Sequence, residues 1–325
     1  MIILGLVMLL VADPASSATE QTQPLQAILG TPVEAETDPD LKSDMLERAA
    51  EFVSDSDLPG MLSSFAQDAS PAAAEFCELL VRRWTESDAP AAAGWTARLP
   101  EGPGHRAALE QVAIAWANSD LPAAVEWLYA LSKGESKQAA TLALAYEAAR
   151  TEPLTALELA STLPPTRERD DLLVHAVSQW PGTDPIAAAA WAMNVADPAL
   201  QQRLVAAVAI ASAEQDGAVA ARLAVNELVA GELQDRAVVS IVQRWAQTSP
   251  VAAASWVSQF PDIPSRAAAV ENLLALWTSQ DAVAAGNWLR QLPAGSLRDV
   301  GITAYDKALA DRDRTSAVVA PTEGM

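Results

Sequence analysis

Residues 84–100 read WTESDAPAAAGWTARLP, and this stretch contains the signals of a helix with defined ends. Asp88 is placed to cap a helix, and Pro90 suits the first turn, where its missing backbone donor costs nothing. The alanine-rich run that follows favours helix, and its small side chains let two helix axes approach closely. Leu99-Pro100 ends the helix, because proline cannot continue it. The stretch therefore predicts the first helix of a helical hairpin.

The two tryptophans of this stretch recur along the chain at a fixed separation. All ten tryptophans form five pairs whose members are 11 positions apart: Trp84/Trp95, Trp116/Trp127, Trp180/Trp191, Trp245/Trp256 and Trp277/Trp288. Tyr146/Leu157 and Ser212/Leu223 keep this spacing without tryptophan. Phe52, paired with Ser64 or Phe65, fits a first copy with one inserted residue. Units then start near 52, 84, 116, 146, 180, 212, 245 and 277, with a period of about 32 positions.

A period of this length is typical of a solenoid, in which each unit is one supersecondary element stacked on its neighbours. The second half of a unit has apolar residues at helical spacing, such as Ala108, Val112 and Ala115. No stretch outside the helices alternates polar and apolar residues as a strand would. We therefore expect an all-α fold, an α/α solenoid (a right-handed superhelix) of about eight two-helix repeats of about 32 residues over residues 41–312. The paired tryptophans should lie on consecutive helices and meet at the turn.

The repeated pattern W-x3-D-P-x-A-A-x2-W-x3-L-P resembles the unit of uncharacterised bacterial tandem-repeat proteins, over roughly residues 45–311. It is more loosely similar to the tetratricopeptide-like α/α superhelices. No unit here has the W-x2-L-G-x2-Y start of tetratricopeptide repeats, so no ligand positions are carried over from that family. The resemblance implies a binding or scaffolding role and brings no catalytic residues.

The two ends of the chain differ in composition from the repeats. Ile2–Ala12 is an uncharged apolar run, which suits a secretory signal and is too short to cross a bilayer. Small residues at Ser16 and Ala18 predict cleavage after Ala18, so residues 1–18 are expected to be a signal peptide of an exported, periplasmic or extracellular, protein. Membrane anchoring would require a longer N-terminus. Residues 19–40 are predicted to be a flexible spacer and residues 313–325 a disordered tail.

Composition excludes several chemistries. With 42 acidic against 21 basic side chains, the net charge of −21 argues against nucleic acid as a partner. Cys77 is the one cysteine, so no disulfide forms within the chain, and with only His105 and His175 a Cys/His zinc site has too few ligands. We expect Cys77 to be a core or half-buried thiol and His175 a hydrogen-bonded packing residue. No catalytic, cofactor-binding or metal-ligating residue is assigned, and the binding residues are unknown.

Two recurring residue types allow a functional interpretation beside a structural one. The tryptophans could stack on sugar rings, but their fixed places in each unit favour core packing. A basic residue also recurs near the start of the second helix, where the helix dipole disfavours a cation. We favour a structural interpretation, in which this basic residue bonds to the capping Asp or to the carbonyls that end the first helix. In the functional interpretation, the basic residues of successive units form a row of donors for an anionic ligand. These residues are Arg106, Lys137, Arg169, Arg203, Arg236, Arg266 and Arg298.

The sequence therefore favours a non-enzymatic extracytoplasmic scaffold that binds a protein or peptide, or a cell-envelope polymer, without a small-molecule cofactor. One alternative is an α/α enzyme or accessory domain that acts on glycans or cell-wall material, which requires an acid/base pair in a cleft. A third is a structural repeat that spans distance in an envelope assembly.

Overall fold

The computed structural model describes residues 36–65, 70–182, 184–260 and 264–319, and these ranges contain fifteen α-helices and no strand. The prediction of an all-α fold is confirmed for them. The predicted signal peptide, the predicted spacer as far as residue 35 and the predicted tail from residue 320 lie outside the described residues.

The chain divides into two compact units, with the boundary between Leu144 and Ala145, inside α6. The first unit contains α1 (Pro39–Phe52), α2 (Leu58–Phe65), α3 (Pro71–Thr96), α4 (Pro103–Ser119), α5 (Leu121–Ala130) and the start of α6 (Glu135–Thr151). The second contains the rest of α6, then α7 (Pro153–Ser161), α8 (Arg167–Gln179), α9 (Pro185–Met193), α10 (Pro198–Ser212), α11 (Gly217–Asn226), α12 (Glu232–Thr248), α13 (Pro250–Val257), α14 (Pro264–Gln291) and α15 (Ser296–Val319).

One backbone conformation recurs where each short first helix begins. Seven capping residues have φ between −152° and −132° and ψ between 68° and 88°: Asp88, Asp120, Glu152, Asp184, Asp216, Ser249 and Asp281. They follow one another at a nearly constant interval, one period of the sequence repeat. Asp88 and Asp281 lie within α3 and α14 and break each of them into two helical segments. The five Asp carboxylates accept a hydrogen bond of 2.9–3.1 Å from the amide three residues later, which satisfies one unpaired donor of the first turn.

Glu152 begins α7 without this side-chain cap, because its longer side chain accepts instead from the Thr155 hydroxyl at 3.0 Å. We expect Glu152→Asp to raise the free energy of unfolding by about 0.5–1 kcal/mol, since Asp can bond the Thr155 amide as the other caps do. Urea denaturation followed by circular dichroism measures the change. Glu158→Asp, the same substitution on the exposed side of α7, is the control and should not stabilise; equal effects at both positions would contradict the capping argument.

Second helices of successive hairpins pack directly on one another within each unit. In the second unit α10 packs on α8, α12 on α10, and α14 on α12. Side-chain hydrogen bonds join these helices across about one period: Arg203 donates to Asp171, and Gln280 donates to the Gln247 carbonyl at 3.4 Å. In the first unit Ser43 on α1 donates to Glu75 on α3 at 2.9 Å. The partners of each bond are 32 or 33 positions apart.

First helices pack differently. α11 contacts α10 and α12, and α13 contacts α12 and α14, so these two first helices each lie against the second helices before and after them. α12 therefore packs against both α11 and α13. This arrangement leaves space between α11 and α13 at the surface of the second unit.

Four of the five tryptophan pairs meet at the turns between helices, as predicted. Ring centroids are 5.6–6.2 Å apart for Trp84/Trp95, Trp116/Trp127, Trp245/Trp256 and Trp277/Trp288. Trp84, Trp95 and Trp277 are buried, and the other seven are partly buried. Packing thus explains the pairing, while part of several indoles remains accessible to solvent.

Three places differ in detail from the sequence prediction. Phe52, expected to start the first copy, is 88% exposed, and its neighbour Val53 is buried instead. The tryptophans that begin a unit precede the capping residue by four positions, which places Ala148 rather than Tyr146 at the equivalent position before Glu152. The chain is helical from Pro39 and continues as helix to Val319, past the predicted ends at residues 41 and 312. Asp38 caps the first of these helices, and the Arg314–Asp311 pair lies on the exposed side of the last.

Candidate functional site

The second residue of each first helix is solvent-exposed and mostly apolar. In the second unit Leu154, Ile186, Val251 and Val283 are 49%, 71%, 67% and 72% exposed, and Ala218 occupies the same position in α11. We call these five residues the N2 set. An apolar side chain gains nothing from water, so the recurrence of exposed apolar side chains at one position in successive hairpins makes the N2 set a candidate contact surface.

A groove of about 450 Å³ lies between α11 and α13 in the second unit. Its sides contain the small residues Ala218, Ala221 and Ala252, and the partly buried indoles of Trp245 and Trp256 also line it. Small side chains on both helices leave this volume unfilled.

The groove depends on one glycine. A Cβ atom added to Gly217 would lie 2.0–2.3 Å from three ring atoms of Trp245, so the indole rests directly against the first turn of α11. The corresponding residues of the other first helices carry side chains: Ala89, Leu121, Pro153, Pro185, Pro250 and Ala282. A side chain at residue 217 would displace the Trp245 ring from this place.

Charge within the groove is positive. Among the described residues that line it, Arg222 is the charged one, and the other polar groups include Asn226, Ser255 and Gln259. Gln259 donates to the Ser255 carbonyl at 3.1 Å. Arg222 is exposed, and within the described ranges its guanidinium has no ion-pair or side-chain hydrogen-bond partner. The groove can therefore accept an apolar group on its indoles and an anionic group at its edge.

A second cleft, of about 390 Å³, lies between α1 and α3 in the first unit and has a different character. Glu47, Glu51 and Glu86 line it together with Arg82 and Arg83. Arg83 donates to the Ala50 carbonyl and, at 2.9 Å, to Asp55, and Arg82 lies 3.9 Å from a carboxylate oxygen of Glu47. Charged side chains thus make up most of the lining of this cleft, and the described residues that line it include no aromatic residue.

Burial raises the pKa of two acidic side chains away from the groove, Glu78 and Tyr146. Burial is the main cause for the carboxyl of Glu78, and the nearby charges of Glu110 and Glu75 raise its pKa further. Burial also raises the pKa of the Tyr146 phenol, with smaller contributions from Asp171 and Glu168. Burial and acidic neighbours explain both shifts, and neither group lines the groove.

The recurring basic residues serve mainly structural roles. Lys137 donates to the carbonyls of Tyr129 and Leu131 at 3.1 and 2.9 Å, which end the first helix of that hairpin. Arg266 and Arg298 bond the Phe260 and Leu292 carbonyls in the same way, at 3.2 and 3.4 Å. These three cases confirm the interpretation as bonds to carbonyls at the end of the first helix.

The other four basic residues form ion pairs with acids rather than such caps. Arg106 pairs with Glu110, Arg169 with Asp170, Arg203 with Asp171, and Arg236 with Glu232. In two of these hairpins a glutamine makes the carbonyl bond instead: Gln201 donates to the Met193 carbonyl, and Gln234 donates to those of Ala224 and Leu228. Sequence reasoning missed these glutamines, because it followed a repeated charge. The usable signal was a long hydrogen-bond donor, charged or neutral, in the first turns of each second helix.

We expect Arg266→Met to lower the free energy of unfolding by about 1–2 kcal/mol, because the Phe260 carbonyl and the Ser296 hydroxyl both lose a charged donor. Arg236→Met is the matched control. Its pair with Glu232 at 3.6 Å is highly exposed and should contribute little. Thermal denaturation of the two variants measures the difference; equal stability of both would argue against the capping role of Arg266.

The remaining candidates are placed as follows. Cys77 is partly buried against the core of the first unit, as predicted. His175 is exposed and lies beside Tyr146, with ring centroids 5.7 Å apart, so it packs against a ring at the surface and not within the core. His105 is nearly buried, with Nδ1 3.3 Å from a carboxylate oxygen of Glu101.

Within the described ranges no helix combines the length and apolar character needed to span a membrane, and no three potential ligands among His, Cys, Asp and Glu are grouped as a metal site. Comparisons of the chain with protein-family models, curated proteins and solved structures find no match. The likeness to bacterial tandem-repeat proteins therefore depends on the repeated motif alone.

Proposed function

We propose that this chain is a non-enzymatic extracytoplasmic repeat scaffold that mediates protein–protein or cell-envelope interactions. The observation that carries the proposal is the N2 set: one position exposes an apolar side chain in each successive hairpin of the second unit. A surface that repeats at one period suits a ligand that contacts several hairpins together, which is how solenoids bind.

The same proposal includes the finer architecture, an α/α solenoid of about eight repeats. It is supported by the shared conformation of the seven caps and by hydrogen bonds that join residues about one period apart. Deletion of residues 184–215 removes one whole cap-to-cap interval and should leave the helical content per residue and the cooperative unfolding intact. Deletion of residues 184–199, half of that interval, should disrupt packing on both sides of the junction. Equal behaviour of the two variants would refute the repeat.

The lining of the α11–α13 groove gives less support to the alternative of an enzyme that acts on glycans. Glycoside hydrolysis generally uses two carboxylates on either side of the scissile bond. The described residues that line the groove include one arginine and no such pair. An indole pair with an adjacent arginine is better suited to binding than to acid/base chemistry.

The scaffold function is tested by removing apolar character from the N2 set. A variant with Leu154, Ile186, Val251 and Val283 all changed to Gln should keep the thermal stability of the wild type, because the four side chains are exposed. It should lose the proteins that the wild-type chain captures by cross-linking in the host's envelope fraction.

The matched control changes four exposed apolar residues outside the set, Leu41, Tyr129, Val229 and Ile302, to Gln. It should retain the captured partners. An unchanged partner list for the N2 variant, or release of sugar from cell-wall polymer by the wild type, would refute the proposal.

Export is proposed from the N-terminal sequence. The chain isolated from its host should begin at Thr19 if the signal is cleaved after Ala18. N-terminal peptide mass spectrometry measures this, and a mature protein that retains Ile2–Ala12 would contradict cleavage.

A further inference from the structure

The α11–α13 groove has a lining unlike that of the equivalent places in the other hairpins. The residue in the middle of the first helix, six positions after the cap, is Arg222 in α11, where the other first helices have Gly94, Glu126, Glu158, Ala190, Ser255 and Asn287. The glycine at 217 and the arginine at 222 therefore occur together in one hairpin. Gly217 positions the Trp245 indole, and Arg222 adds the charge on the same helix.

The floor of the groove fits one bulky apolar side chain. The rings of Trp245 and Trp256 are inclined at 50° with their centroids 6.0 Å apart, and Phe260 supports Trp256 edge-on at 4.7 Å. Val225, 56% exposed, extends the apolar surface along α11. Aromatic rings held in place by neighbours are effective anchors, because they lose little conformational entropy when a ligand binds.

The positive charge of the groove distinguishes it from the rest of this acidic chain. The chain carries a net charge of −21, and a carboxylate is repelled from most of its surface. Arg222, without an ion-pair partner among the described residues, offers two parallel donors that suit a carboxylate. The groove is thus complementary in charge to an acidic group, whereas most of the surface of the chain repels such a group.

We propose that the α11–α13 groove binds a linear peptide segment of a partner protein that places a bulky apolar side chain on the Trp245–Trp256 floor and an Asp or Glu side chain on Arg222. The inference rests on the proposed scaffold function and specifies one of its sites. A peptide fits better than a neutral sugar because the groove combines an apolar floor with Arg222, whose charge favours a carboxylate that a neutral sugar ring lacks.

The test selects ligands from a phage-displayed library of random dodecapeptides against the full chain, and then measures the affinities of the end-capped synthetic peptides by fluorescence polarisation. We expect a consensus with a large apolar residue close to Asp or Glu. Arg222→Glu should weaken binding by about tenfold or more, since it replaces a charge-assisted bond by repulsion. Ser255→Leu, which fills the groove from an exposed position, should do the same.

The matched control is Arg244→Glu, the same charge change at an exposed position of α12 that does not line the groove, and it should leave the affinity unchanged. Peptides that bind all variants equally would overturn the site and leave the scaffold function standing. Failure to select any peptide would overturn the peptide ligand, while the N2 capture experiment decides the scaffold function separately. Binding of soluble cell-wall oligosaccharides that is lost in Ser255→Leu would replace the peptide by a glycan.

Discussion

Replacement of Trp277 by alanine is expected to lower the free energy of unfolding by about 3–5 kcal/mol. Trp277 is 3% exposed and belongs to the core cluster that also contains Val270, Leu273 and Leu274. Its ring meets Trp288 at a centroid distance of 6.0 Å, so truncation leaves a cavity at the junction of two helical segments. Urea denaturation followed by far-ultraviolet circular dichroism, with linear extrapolation, measures the change.

Two variants make the comparison specific. Trp288→Ala removes the partner ring, which is only partly buried, and should cost less than Trp277→Ala. Val283→Ala removes an apolar side chain that is 72% exposed and should have little effect on stability. If Trp277→Ala and Val283→Ala changed stability equally, the indole would not be a packing residue.

Gly217→Ala is expected to have the second-largest effect, a loss of about 1–3 kcal/mol, although alanine is ordinarily the better helix former. The added methyl carbon would lie 2.0 Å from Trp245 Cδ2, and a rigid indole cannot move aside as the end of a flexible side chain can. This clash is removed only if the ring or the α11 backbone shifts. The variant should therefore also change the emission of Trp245 and weaken peptide binding in the groove.

Gly94→Ala is the control, and it should change the stability in the opposite direction. Apart from its chain neighbours and the backbone of its own helix, no atom lies within 4 Å of a Cβ at that position, so the substitution should raise stability by about 0.5–1 kcal/mol. The double variant Gly217→Ala/Trp245→Ala should lose less stability than the sum of the two single losses, because Trp245→Ala removes the ring that the added methyl group meets. Strict additivity would show that the clash is not the cause.

Much of the fold could be predicted because its signals are local. Asp88, Asp184 and their equivalents cap helices through an amide only three residues away, and Leu-Pro pairs end helices through the proline itself. The tryptophan spacing gave the period for the same reason, since each pair meets across a single turn. Where tryptophan is missing, the spacing alone does not fix the register, and the unit begins at Ala148, two residues after the predicted Tyr146.

The candidate site could not be predicted in the same way. Its defining contact joins Gly217 to Trp245, which lie almost one period apart in sequence, and its walls come from two different hairpins. A glycine at the start of a helix gives no indication of the ring that will lie on it. Arg222 likewise has no repeated counterpart in the sequence that would mark it, because an arginine occurs at this position in a single hairpin.

The sequence by itself determined the helical class, the period of the repeat and the meeting of paired indoles, because capping, helix termination and helical spacing act over a few residues. Tertiary structure alone decided which indole surface stays open, which residue bonds each terminal carbonyl and where a groove forms. Those outcomes depend on contacts between hairpins. The volumes of side chains about one period apart in sequence decide whether the space between two hairpins is filled or remains a groove.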